Sequence, residues 1–420
     1  MDSVRDFARY LARIEIWGVA LAVFGSMVVT GLLPWAVLFL AVFWGIRRLA
    51  WGRISRQTPV DVPLLILGLI VPFNAWISPL PEKSLPQLYR LLVGMGWFYA
   101  IVNGVASNPS NNALQARRWL QWMVWLITLG AVALAFFSLF SVEWAVDKLP
   151  FIPPAVYSYA SIWVRDTVHP NVMAGTLAIL LPIPLGVVLF GGKEMKGLER
   201  TVLAGGTLIV AVFMLLTQSR GAMLAMGAAV AVLVLLRWRR GWMGVSAGAI
   251  VTLGLIWEVG LTRVLDAMLV SATLNGANGR FQIWRRALYM IQDFPLTGVG
   301  MGLFGDVADA LYPFVGVEPG VIPHAHQLFL QIAVDLGVPG LIAWFAVFVI
   351  VSVAAWQVYR AAQQKEDRWL MGLGTGLLAS QVALIVHGLL DAVTWGMVRS
   401  APIVWGIWGL VIATYMRRRL

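Results

Sequence analysis

TVLAGGTLIVAVFMLLTQSRGAMLAMGAAVAVLVLL, residues 201–236, is an apolar stretch interrupted by a single charge, Arg220. About 20 apolar residues cross a bilayer as one helix. An arginine at a span centre costs roughly 2.5–3.5 kcal/mol on insertion scales. The stretch therefore reads as two spans, 201–217 and 221–236, turning at Thr217-Gln218-Ser219-Arg220-Gly221. Two readings of Arg220 stay open: it snorkels from a tight hairpin to lipid headgroups, or it faces an internal anionic ligand beside Gln218 and Ser219.

The rest of the chain extends this pattern. Its 420 residues are 60% hydrophobic and 12% charged, with mean hydropathy +0.80, a balance that serial membrane spans carry and a soluble domain does not. Twelve spans are expected, near 14–32, 34–46, 62–78, 91–106, 119–141, 170–192, 201–217, 221–236, 242–260, 327–353, 369–390 and 397–415. Pro34 between the first two suggests a broken or tilted pair. The fold class is an all-α polytopic membrane protein, a single integral membrane domain over 1–420. The first apolar run lacks a small-residue cleavage motif and is read as a retained span.

The net charge of +11 sits in short clusters between apolar runs, which is the pattern of orientation signals rather than of a nucleic-acid surface. One set of connections holds 21 of the 31 lysines and arginines, and the other holds ten. The positive-inside rule makes the richer set cytoplasmic, with both termini inside, and twelve crossings agree in parity. With no cysteine, disulfides and thiolate metal sites are excluded.

This orientation puts all four histidines, His169, His324, His326 and His387, at the outer boundary. The outer side also carries the longest connection, residues 261–323, between spans nine and ten. Within it Phe281, Trp284, Leu288 and Ile291 recur at helical spacing, so an amphipathic helix is expected over about 280–292. Pro295, Gly298, Gly300 and Gly302 then break the pattern, and a second short helix is expected near 303–314.

Several residues suit chemistry. Arg280 follows the turn-rich Asn275-Gly276-Ala277-Asn278-Gly279 at a helix start, where free amides and a bidentate guanidinium attract phosphate. Arg285 and Arg286 sit one turn on, and basic residues facing anionic lipid are the alternative. Arg165 beside Asp166 reads as an ion pair or a ligand contact. In His324-Ala325-His326-Gln327 three roles compete: general base, metal-ligand pair, or polar capping of the next span. His169-Pro170-Asn171 opens a span, while His387 ends one with Asp391 four residues on. A zinc site among these groups is opposed by the arginines, which repel a cation. Trp144, Tyr157, Tyr159, Trp163 and Trp395 form an aromatic belt or a sugar-stacking surface.

Three motifs in this order resemble the O-antigen ligase/O-antigen polymerase superfamily of bacterial membrane glycan transferases. They are R-x3-L at Arg220 to Leu224; Gly279-Arg280, Trp284 and Pro295-Leu296-Thr297-Gly298-Val299-Gly300; and H-[NSQ]-x9-G-x2-G at His326-Gln327, Gly337 and Gly340. The resemblance covers about 160–400, with the ligase branch favoured, and the N-terminal third matches no motif. Gln327 stands where the family often has Asn.

The resemblance implies a transferase that uses no metal, nucleotide or other cofactor and takes its glycan from an undecaprenyl-diphosphate lipid. Its acceptor would be lipid A–core oligosaccharide at the periplasmic face of the cytoplasmic membrane, or another lipid-linked repeat in the polymerase branch. Breaking the C1–O bond builds negative charge on the leaving diphosphate, which arginines stabilise. The acceptor hydroxyl must lose a proton, and a neutral imidazole takes it. On this reading His326 is the base, and Arg220 and Arg280, with Arg286 and Arg165, hold the diphosphate. His324, Gln327, His169, His387 and Asp391 would orient the acceptor. The competing class is a transporter or flippase. Such carriers bury ionisable groups near the membrane midplane, and here only Asp335 approaches that position.

Overall fold

The computed structural model describes residues 2–106, 113–144, 152–159, 163, 167–192, 195–264 and 278–417. The chain is all-α, as its hydropathy demands. Among the described residues there is no strand, only an isolated bridge between Val142 and Val168. Nine helices among these residues are long and apolar enough to cross a membrane.

The first two helices, α1 (Asp2–Val28) and α2 (Leu33–Trp51), are joined by a 3-10 turn at Thr30–Leu32. The expected broken pair is thus two helices, packed as a hairpin with Gly18 against Phe39. Next come α3 (Asp61–Ile77), α4 (Pro81–Ala106), α5 (Ala113–Ser141) and the pair α6 (Pro170–Leu180) and α7 (Pro182–Phe190). The 201–236 stretch forms α8 (Gly197–Leu216) and α9 (Arg220–Arg237), followed by α10 (Gly241–Val259). Beyond the 261–277 stretch lie α11 (Asn278–Asp293) and α12 (Phe304–Leu311). The chain closes with α13 (Leu328–Gln364), α14 (Arg368–Gly388) and α15 (Pro402–Arg417).

Each expected span falls on a helix, but several edges move. Helix α1 starts at Asp2 rather than near 14, and α13 runs on to Gln364 rather than 353. At 1.5 Å per residue α13 is about 55 Å long, more than a bilayer's hydrocarbon. The last helix opens at Pro402, not 397, because residues 389–401 form turns and proline favours the first helical turn. Helix α3, with 17 residues, is apolar but shorter than the nine.

Helix α14 lies at the centre. A Cβ on Gly186 of α7 would stand 2.5 Å from the Gly372 carbonyl oxygen and 2.8 Å from Gly376 Cα, so α7 and α14 touch backbone to backbone, the small-residue packing of membrane helices. Further along the same face Ala379 and Ala383 meet Ala225, Ala229 and Leu233 of α9. These close contacts fix the end of α14 against the starts of α6 and α9. Helix α10 buries only Gly241, so its apolar surface suits contact with lipid.

Candidate active site

The chain enters α13 through Pro323-His324-Ala325-His326-Gln327. His326 has φ 50°, a left-handed conformation uncommon outside glycine. Three bonds from backbone amides hold it. The His326 N–H donates to His324 Nδ1 (3.1 Å), the Ala325 N–H to Gln331 Oε1 (2.7 Å), and the Leu330 N–H to Gln327 Oε1 (2.6 Å). The two imidazoles therefore converge, with ring centroids 3.9 Å apart. Gln327 is the N-cap of α13, and His169 caps α6 likewise, its Nδ1 accepting from the Asn171 N–H at 3.2 Å. Both side chains make a capping contact.

Asp391, just beyond α14, receives the histidine pair. Its Oδ1 lies 3.5 Å from His326 Nδ1 and 3.9 Å from His324 Nδ1. Its oxygens also accept from the Ala392 N–H (2.8 Å) and Asn171 Nδ2 (3.0 Å). At 3.5 Å the His326 approach is at the outer limit of a hydrogen bond. Burial alone would raise the Asp391 carboxyl; the His326 contact and the neighbouring His324 and His387 outweigh it and hold it well below the usual range. Burial, then the neighbouring His326, pushes His324 down to about 3. The fold thus keeps Asp391 ionised and His324 neutral. With His326 Nδ1 buried toward Asp391, Nε2 is the accessible nitrogen of that ring. His387 is 1% exposed and packs on Gly175, and neither ring nitrogen bonds a protein atom among the described residues.

The arginines divide. Arg280, in the first turn of α11, donates from Nη1 to the Leu390 carbonyl next to Asp391. Burial lowers its pKa, and the Asp391 charge works the other way. Arg220 opens α9 and is partly buried. The Gly221 Cα faces the same place: a Cβ there would stand 3.5 Å from Leu390 Cβ and 3.7 Å from His387 Cδ2. The turn before it is strained like the histidine turn, with Gln218 at φ 53°. Arg286 points elsewhere, Nη2 donating to the Pro313 carbonyl (3.3 Å) and the guanidinium lying 4.8 Å from the Phe314 ring. Arg165 lies outside the described residues.

The two glycine-rich stretches form one clasp. The Val299 N–H donates to the Val334 carbonyl (2.8 Å) and the Val338 N–H to the Pro295 carbonyl (2.7 Å). A Cβ on Gly298 would stand 2.6 Å from the Asp335 and Val334 carbonyl oxygens, and one on Gly337 2.7 Å from Leu296 O. Both glycines have positive φ, and α13 breaks at Gly337. The clasp ties the end of α11, which carries Arg280, to the helix that follows His326.

Residues 205–345 match the family described as O-Antigen ligase. This match supports the resemblance of the chain to the O-antigen ligase/polymerase superfamily over that segment. No curated protein matches the chain. The matched segment contains Arg220, Arg280, His326 and both halves of the clasp, while His387 and Asp391 lie beyond it. The match and the apolar helices support a multi-pass membrane glycan transferase of ligase/polymerase type.

His324, His326 and Asp391 each bring a ligand atom within 4.8 Å of the others, the span of a metal site. Two features weigh against a cation there. Arg280 stands beside Asp391, and His324 Nδ1 already accepts from its own turn. A separate cavity of about 440 Å³, lined by Arg118, Trp122, Trp125, Lys196 and Glu199, lies by the starts of α5 and α8, at the far end of α8 from Arg220. Sequence reasoning missed Asn171 as a partner of Asp391, and Gln331 with Trp395 as polar neighbours of Asp335. The one available signal was Asp335 itself, an acid inside an apolar run with Gln331 one helical turn before it.

Proposed function

We propose that this protein transfers a glycan from an undecaprenyl-diphosphate lipid to an acceptor hydroxyl, lipid A–core oligosaccharide in the ligase branch. The transfer takes place at the periplasmic face of the bacterial cytoplasmic membrane, with both termini cytoplasmic. The observation that carries the reading is one imidazole, His326, backed by the buried Asp391 carboxylate with Arg280 alongside.

In the proposed step the acceptor oxygen attacks the anomeric carbon as the C1–O bond to the diphosphate breaks. Undecaprenyl diphosphate leaves with the bonding electrons, and attack from the opposite face inverts the anomeric centre. The acceptor proton passes to His326 Nε2, and the imidazolium so formed is stabilised by Asp391 against Nδ1. Arg280 and Arg220 meet the charge developing on the diphosphate, so no metal ion or other cofactor is called for. His324, held neutral, leaves Asp391 available to His326.

The test is the purified protein in proteoliposomes with a lipid-diphosphate glycan and a lipid A–core acceptor. A covalent glycan–acceptor product supports the ligase reading, and extension of lipid-linked chains instead assigns the polymerase branch. Vesicle uptake without a covalent product would overturn the enzyme reading in favour of a carrier.

A further inference from the structure

The acid nearest the middle of a span is used by neither the base nor the arginines. Asp335 is fully buried in α13, one turn past Gln331. Its carboxylate meets three N–H donors: Gly302 N (3.0 Å) and Gln331 Nε2 (2.9 Å) on Oδ1, and Trp395 Nε1 (2.8 Å) on Oδ2. Its backbone carbonyl accepts from Asn74 Nδ2 (2.9 Å), and Asn74 Oδ1 accepts from the Met301 N–H (3.0 Å). Gln331 is also fully buried, and its other end accepts the Ala325 N–H at 2.7 Å.

These bonds form one connected path. It starts at Trp395, four residues after Asp391, passes through Asp335 and Gln331, and ends on the amide between the two histidines. A branch through Gly302 and Met301 reaches the loop that follows α11. Each group has its partner, and a fully satisfied buried network of this kind fixes a single arrangement. The left-handed backbone of His326 needs such support, since sparsely populated conformations persist only where the surroundings over-determine them.

We infer that Asp335 and Gln331 are positioning residues that set His326 against Asp391, acting through the Ala325 amide and through Trp395. The inference rests on the transfer reading for its kinetic consequences, and on geometry alone for its structural ones. A misplacement of about 1 Å at a reacting group costs on the order of 100-fold in rate.

The experiment uses full-length protein in proteoliposomes and two variants. Gln331→Leu removes the acceptor for Ala325 and one donor to Asp335. The double variant Gln331→Glu/Asp335→Asn rebuilds that link with its polarity reversed. Its new amide at position 335 donates to the new carboxylate at position 331, which still accepts the Ala325 N–H, and its oxygen keeps the Trp395 N–H, while the Gly302 N–H loses its acceptor. The expected result for Gln331→Leu is kcat lower by on the order of 100-fold with donor KM within about twofold. Amide hydrogen exchange should be faster over residues 322–327. The double variant, which keeps the Ala325 bond but loses the Gly302 one, should recover slow exchange there and part of the lost kcat, and it carries the test if Gln331→Leu fails to insert. Wild-type kcat in Gln331→Leu, unchanged exchange over 322–327, or a double variant no better than the single would each overturn the inference. If wild-type protein makes no product, the transfer reading fails, and the exchange comparison still decides whether Gln331 holds the turn.

Discussion

Asp391→Asn removes a charge while leaving the shape of the site almost intact. The Ala392 N–H can still donate to the amide oxygen, and the Asn171 amide can rotate to offer its own oxygen to the new NH2. What disappears is the anion 3.5 Å from His326 Nδ1. When His326 takes the acceptor proton it becomes a cation facing that anion. At 3.5 Å and an effective dielectric near 20, the attraction is about 5 kcal/mol. Part of it is already spent orienting the neutral ring, so the transition state should lose roughly 3–4 kcal/mol, a fall of about 10²–10³-fold in kcat. The assay is single-turnover transfer in proteoliposomes at saturating donor, with hydrogen exchange over 322–327 to show that the turn is retained. Transfer within about threefold of wild type would refute the pairing of Asp391 with the base.

Three other perturbations probe separate parts of the site. Arg280→Lys replaces a planar bidentate donor with a point charge and should cost at least about tenfold in transfer, while Arg286→Ala, which loses its Gln282, Pro313 and Phe314 contacts, should stay near wild type; the reverse order would move the diphosphate to the outer turn of α11. Gly298→Ala forces a Cβ to 2.6 Å from two backbone carbonyl oxygens at φ 67°, and the left-handed backbone alone costs roughly 1–2 kcal/mol; faster amide exchange in α11 with lower activity is expected, and unchanged exchange would show that the clasp does not anchor Arg280. His324 sits at about 3 in the fold and titrates near 6.5 when unfolded, so unfolding takes up a proton between those values and its stabilising contribution, full above about 6.5, drains as pH falls. Asp391, held low, loses its contribution only below about 4, so between pH 7 and pH 5 the melting temperature in detergent should fall further in wild type than in His324→Gln, and an identical change in both would refute the assignment.

The spans were legible because hydropathy is a local signal: every expected span meets a helix, and the Thr217–Gly221 break falls between α8 and α9. Their edges were less so, since tertiary contacts and prolines, not lipid length, decide where α1, α13 and α15 begin or end. At the site, the sequence marked His326, Arg280 and Asp391 as candidates, and the structure brings these three together. It set Arg280 ahead of Arg286 as a diphosphate contact, without any view of where either points. They lie six residues apart on one helix, and only the packing of α11 turns one toward Leu390 and the other toward Pro313. Nor could sequence separate a catalytic polar residue from a capping one, because His169 and Gln327 cap helices through the same atoms a substrate would use. The clasp was legible only as two glycine patterns; that they are halves of one contact depends on a pairing some 40 residues apart.

The site is assembled almost wholly from helix ends. Helices α6, α9, α11 and α13 begin around it and α14 ends there. Each helix start carries roughly half a positive charge from unpaired amides, and each end about half a negative one. Four starts against one end leave an excess of positive potential before any side chain is counted. Arg220 and Arg280 add to it, while Asp391 is the acid held against the histidines. Side chains cap α6 and α13, whereas Ser219 makes no side-chain cap on α9. A neutral sugar hydroxyl gains little from that field, but a diphosphate whose charge grows as the sugar departs gains most at the moment of bond breaking. This is why the arrangement favours binding the leaving group over binding the acceptor.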